Sequence, residues 1–157
     1  MQTLDLDGWI FSLYRAGAGD VPEIVALLAD DVLGRERESS DLEPYVRAFA
    51  RIDADENQLL VAVRDEAEKI VATMQLTLMP SLSRGGATRL QIEAVRVDST
   101  VRGAGLGSAL FQWAQEWGRE QGATLAQLTT DAARVDAHRF YERLGYVPSH
   151  VGFKRPL

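Results

Sequence analysis

The chain has 157 residues, 46% of them hydrophobic and 25% charged, and a formal net charge of −6. That length suits one domain with an ordinary globular core, and the acidic balance argues against nucleic-acid binding as its main task. There is no cysteine, which excludes disulfides, thiolate nucleophiles and cysteine zinc sites.

Asp5 and Asp7 stand near the start where a secretory signal would carry basic residues. No apolar run approaches the ~20 residues of a membrane span. The expectation is a cytoplasmic protein with no membrane and no nucleic-acid partner. Trp9 to Arg15 is aromatic and β-branched enough for an opening strand, closed by Gly17 and Gly19. Asp20 caps a helix with Pro22 and Glu23 in its first turn, and Ile24, Leu27 and Leu28 form its apolar stripe. Between Asp30 and Asp41 the chain is polar and charged, and reads as a loop or a frayed helix. Glu43 to Asp53 reads as a second helix, with Tyr45, Val46, Phe49 and Ile52 on one face.

Leu59 to Val63 and Ile70 to Met79 read as strands joined by a turn at Asp65–Glu68, and Thr88 to Val97 as a third after a turn over Pro80–Gly86. The sum is a strand, two helices and an antiparallel meander. Three glycines then fall within five residues at Gly103, Gly105 and Gly107, and a helix follows with Leu106, Leu110, Ala114 and Trp117 along one face. Leu125 to Thr129 reads as a strand, and Ala133 to Leu144 as a helix closed by Gly145. Tyr146–Val147 and Val151–Phe153 suggest a last strand or hairpin. Strand, helix, strand around the glycine turn makes a βαβ unit with parallel pairing.

A glycine-rich turn between a strand and a helix aims a row of backbone N–H groups at a phosphate. A Walker loop needs a lysine before Ser108, and none is there; a dinucleotide fingerprint needs Gly-x-Gly-x-x-Gly, whereas these glycines alternate. Arg102-Gly103-Ala104-Gly105-Leu106-Gly107 instead resembles the Arg/Gln-x-x-Gly-x-Gly/Ala signature of the GNAT superfamily of N-acetyltransferases. Val95 and Val97 precede it with the family's spacing, and His138-Arg139-Phe140-Tyr141-Glu142-Arg143-Leu144-Gly145-Tyr146 resembles the family's second motif. The motif resemblance runs from about Ile92 to Leu157 and is topological over the first ninety residues.

The resemblance implies a single N-acetyltransferase domain over 1–157, α/β in class. Its mixed, mostly antiparallel sheet would have six or seven strands, with about four helices on both sides. It implies acetyl-coenzyme A as cosubstrate and no metal. Val95, Arg96 and Val97 would meet the pantetheine through main-chain atoms. Gly103, Ala104, Gly105, Leu106, Gly107 and Ser108 would hold the pyrophosphate, with Arg102 adding charge beside it. Arg134 stands where relatives often have an asparagine touching the cofactor, and His138 and Tyr141 share its face of the helix. Tyr141 resembles the family's general acid: a phenol near pKa ~10 can protonate a leaving thiolate of intrinsic pKa ~8.5. The base is Glu93, placed beside Val95 and Val97 if the strand pairs regularly, or His138 acting directly or through water.

The segment Asp31 to Ser40 sits where relatives line the acceptor pocket, so Glu36 or Glu38 would meet a cationic amine, or the run Arg35–Glu38 is a solvated face. With no cysteine to carry an acyl group, direct transfer in a ternary complex is expected. The acceptor is a small amine or a peptide or protein amine, and open sheet edges are compatible with a homodimer. The alternative is a coenzyme A-binding sensor or interaction domain without catalysis.

Overall fold

The computed structural model describes residues 1–30 and 38–157. Six strands form one sheet in chain order: β1 (Gln2–Leu6), β2 (Trp9–Arg15), β3 (Gln58–Arg64), β4 (Ile70–Pro80), β5 (Thr88–Val97) and β6 (Ala123–Leu128). All neighbours are antiparallel except β5 and β6, which run parallel. Among the described residues four longer helices flank the sheet, α1 (Val21–Ala29), α2 (Glu43–Asp53), α3 (Leu106–Glu120) and α4 (Val135–Arg143), and a fifth, single-turn helix at Ser83–Gly86 lies between β4 and β5. Class, sheet type and helix placement are those expected, with six strands. Among the described residues no helix is long and apolar enough to cross a membrane.

Alternation along β3 sorts the two layers. Val61 and Val63 join the cluster built with α3 through Leu106, Leu110, Phe111 and Ala114. Leu60 and Ala62 turn the other way, toward Ile24 and Leu27 of α1, while Phe49 of α2 packs with Val21 and Val25. Period-two strands with two covered faces produce this split.

Two expectations change. A strand at β1 was not anticipated, although Asp7 and Gly8 both take positive φ (52° and 88°) and join Leu6 to Trp9 as a two-residue hairpin. Conversely, no strand forms over Tyr146–Val147 or Val151–Phe153. Tyr146 turns into an aromatic cluster with Phe111 and Tyr141, Pro148 has no N–H to give a ladder, and Val147, Val151 and Phe153 remain exposed.

Candidate functional site

The decisive feature lies in β5. Its pairing with β4 runs Leu76↔Ile92 and Gln75↔Glu93, then resumes at Thr73↔Arg96 and Ala72↔Val97. One extra residue is inserted at Ala94–Val95, and Ala94 takes φ +50°. A non-glycine residue there costs on the order of 1 kcal/mol, and such bulges re-aim side chains beside sites. On its far side β5 pairs with β6 only as far as Ile92↔Leu128. From Glu93 to Val97 the strand therefore has β4 on one edge and no strand on the other.

The bulge corrects the placement of Glu93. Regular pairing would set it beside Val95 and Val97, but the shifted register puts Val97 on the face of Ile92, and Glu93 with Arg96 on the opposite face. Val95 and Val97 pack against the α3-side core, whereas Glu93 is exposed. It still lines a cavity of about 170 Å³ together with Val95, Arg96, Thr129, Arg134, Tyr141 and Lys154. An adjoining cavity of about 510 Å³ is lined by Val95, Arg96, Val97, Arg102, Arg134 and Phe140, with Leu27 and Asp30 at the end of α1. The two share Val95, Arg96 and Arg134, so the open edge of β5 joins them.

The glycine turn begins where β5 ends. A short 3₁₀ turn, Ser99–Val101, buries Val101 in the core. Gly103 and Gly105 then take φ of 91° and 76°, and a Cβ built on either meets nothing within 4 Å. Gly105 is the N-cap of α3, and no side chain caps the helix. Its ladder starts with the Ala109 N–H donating to Gly105 C=O at 3.1 Å, so the N–H groups of residues 106–108 point out of the helix end. Open space before uncapped donors at the positive end of a helix dipole fits a pyrophosphate. Leu106 gives only its backbone here, because its side chain is buried. A Cβ on Gly107 would stand 3.5 Å from the Phe140 ring, an ordinary van der Waals contact, so α3 and α4 approach closely here without requiring glycine.

Tyr141 enters the smaller cavity from α4. Its ring stands against Phe111 and Phe140 at 5.5 Å and Tyr146 at 6.2 Å, all edge-on. Burial pushes its phenol above the ordinary value, against the opposing charges of Arg134 and Arg96. It is thus fully protonated near neutrality and available as a donor. Arg134 lines both cavities. His138 lines neither; its Nε2 lies 3.0 Å from the Asp131 carbonyl oxygen, tying α4 to the preceding loop. Of the acidic candidates before α2, Glu36 lies outside the described residues, and Glu38 accepts a bond from the Tyr45 hydroxyl at 2.7 Å. Lys154, from the C-terminal stretch, is a cavity residue that motif reading missed; no local pattern around it marks it.

The family model described as acetyltransferase (GNAT) family matches residues 23–146. The aminoalkylphosphonate N-acetyltransferase of Salmonella typhimurium is 45% identical over 67 residues, 43% of this chain and 44% of that protein. The glucosamine 6-phosphate N-acetyltransferase of Trypanosoma brucei brucei is 37% identical over 78 residues, 50% of this chain and 51% of that protein. The chain thus spans about half the length of these curated relatives. A solved structure from Bacillus halodurans C-125, described as a transcriptional regulator, is 45% identical with a TM-score of 0.88, covering 94% of this chain and 99% of that one.

Proposed function

The chain belongs to the GNAT family of acetyltransferases, and from that premise we propose that it moves an acetyl group from acetyl-coenzyme A to a primary amine by direct transfer in a ternary complex. The observation that carries this is the free edge of β5 from Glu93 to Val97, opening beside an uncapped helix end. Backbone groups of Val95–Val97 pair with the pantetheine arm, and the N–H groups of Gly103–Ser108 take the pyrophosphate. Arg102 and Arg134 flank it. The amine lone pair attacks the thioester carbonyl, a C–N bond forms and the C–S bond breaks. The departing sulfur takes the proton of Tyr141, and the amine's proton passes to Glu93 or through it to water. Exposure of Glu93 suits a base that hands its proton on to solvent.

The acceptor we favour is a small amine that also carries a phosphoryl or phosphonyl group. The two curated relatives are named for substrates of that kind, and Arg96, Arg134 and Lys154 line the cavity that holds Tyr141 and Glu93. A thiol-release assay with acetyl-coenzyme A should show turnover on aminoethylphosphonate or glucosamine 6-phosphate and weaker turnover on uncharged or polycationic amines. Tyr141→Phe should keep acetyl-coenzyme A affinity and lower kcat by about 100-fold; an unchanged kcat removes Tyr141 from the acid role.

A second reading is favoured by the relative described as a transcriptional regulator: a coenzyme A-binding domain that senses rather than catalyses. Tight acetyl-coenzyme A binding with no turnover on any of these amines would establish it.

A further inference from the structure

Just before the glycine turn stands a carboxylate that the chemistry above does not use. Asp98 is 8% exposed and caps the 3₁₀ turn. Its Oδ1 accepts from the Thr100 amide at 2.9 Å and the Thr100 hydroxyl at 2.8 Å. Its Oδ2 accepts from Lys69 Nζ at 2.7 Å, and its own N–H donates to the Val71 carbonyl at 2.8 Å. Lys69 comes from the tip of the β3–β4 hairpin, where Asp65 orders the turn: the Lys69 N–H donates to Asp65 Oδ1 at 3.0 Å and the Asp65 N–H to the Lys69 carbonyl at 3.0 Å.

We infer that the Lys69–Asp98 pair is a positioning clamp for the coenzyme A pyrophosphate turn, an inference that rests on the acetyl-coenzyme A reading above. The physical need is clear from the turn's composition. Gly103 and Gly105 occupy left-handed conformations, and glycine gives up more backbone freedom on ordering than any other residue. A turn of that kind holds its N–H groups on an anion only if its entry is fixed. The entry is fixed at two points, Val101 in the core and Asp98 on β4. From there successive i to i+3 backbone bonds lead toward the glycines, with Val101 N–H donating to Asp98 C=O at 3.2 Å, Arg102 N–H to Ser99 C=O at 3.3 Å and Ala104 N–H to Val101 C=O at 3.4 Å. Lys69 holds the Asp98 carboxylate aimed at the Thr100 amide, so a hairpin 29 residues upstream sets the geometry of the donor site. Both residues are positioning residues; neither lines the cavities.

The test is isothermal titration of the full chain with acetyl-coenzyme A, paired with steady-state kinetics. Lys69→Met should raise Kd and KM for acetyl-coenzyme A about tenfold while leaving kcat and the acceptor KM within about twofold, and Lys69→Arg should restore binding. Asp98→Asn should match Lys69→Met. Should the asparagine variant fail to fold, the half-exposed Lys69 still decides the matter. Wild-type affinity in Lys69→Met overturns the clamp, as does a loss confined to kcat. If the wild-type chain itself binds no acetyl-coenzyme A, the donor-site reading fails and takes the clamp with it, an outcome visible before any variant is made.

Discussion

Two buried aspartates, Asp20 and Asp98, make an instructive pair. Each is 8% exposed, and each is met by a cation from an end of the same hairpin, Arg64 closing β3 and Lys69 preceding β4. Around Asp20 the network closes on itself. Arg64 Nη2 donates to Oδ1 at 2.8 Å, Arg64 Nε donates to the Tyr14 hydroxyl at 2.6 Å, that hydroxyl donates to Oδ1, and the Gly17 N–H donates to Oδ2 at 2.8 Å. Arg64 also bonds the Glu68 carbonyl. Its cargo is the start of α1, a regular helix already packed by Ile24 and Leu27. Around Asp98 the cation is a lysine 55% exposed against 25% for Arg64, and the cargo is a glycine turn that has little packing of its own. On the clamp proposal, the same chemistry stabilises the fold in one place and orders a ligand site in the other.

The largest effect should come from Arg64→Met. It leaves the Asp20 carboxylate buried without its cation, which costs about 2–3 kcal/mol and lowers Tm by roughly 5–10 °C in a domain of this size. Acetyl-coenzyme A affinity should stay at the wild-type value. Lys69→Met should do the reverse, costing about 1 kcal/mol because Lys69 itself is half in solvent and Asp98 keeps both Thr100 bonds, while weakening the cosubstrate. Urea denaturation and calorimetry on both variants would cross these two readouts. If Arg64→Met weakens binding as much as Lys69→Met does, the comparison collapses into one general stability effect.

Acid pH should act on both pairs. Lys69, then the Thr100 amide, hold the Asp98 carboxyl at about 2. For Asp20, burial pushes upward but the bonds from Gly17, Arg64 and Tyr14 outweigh it and leave the carboxyl below its ordinary value. A carboxyl that binds its proton less readily when folded stabilises the fold above its unfolded pKa near ~4, and that stabilisation is lost as pH falls toward ~2. Urea midpoints measured between pH 5 and pH 2.5 should drop for the wild type and drop less for Asp98→Asn. Equal slopes for the two would place the acid sensitivity elsewhere.

Local chemistry explains what the amino-acid sequence disclosed. The alternating glycines, the strand before them and the Phe140–Tyr141 pair carry their structure in short-range patterns; Val95, Val97 and Tyr141 line the cavities, and Gly103 and Gly105 form the turn beside them. The bulge at Ala94 was hidden because no glycine or asparagine announces its positive φ; it is imposed by the register with β4, and it moved Glu93 to the other face. The Lys69–Asp98 pair was equally silent, since a contact 29 residues apart leaves no periodic trace. β1 was legible in the Asp7–Gly8 turn, whose Asp-Gly pair is a two-residue hairpin signal between Leu6 and Trp9.

The smallest contrast is the sharpest, because it removes one hydroxyl from each network and no charge. Tyr14→Phe strips Arg64 Nε of its acceptor and Asp20 Oδ1 of one donor. With both partners partly buried, stability should fall by about 1–2 kcal/mol, and acetyl-coenzyme A binding should not change. Thr100→Val strips Asp98 Oδ1 of one donor but leaves the Thr100 amide bond and Lys69 in place. Its stability cost should be about 1 kcal/mol or less, with Kd for acetyl-coenzyme A rising only about two- to threefold. The sign pattern matters more than the sizes. Were Tyr14→Phe to move Kd and Thr100→Val to leave it untouched, the hydroxyl beside the glycine turn would have no part in aiming it, and the clamp would reduce to the lysine alone.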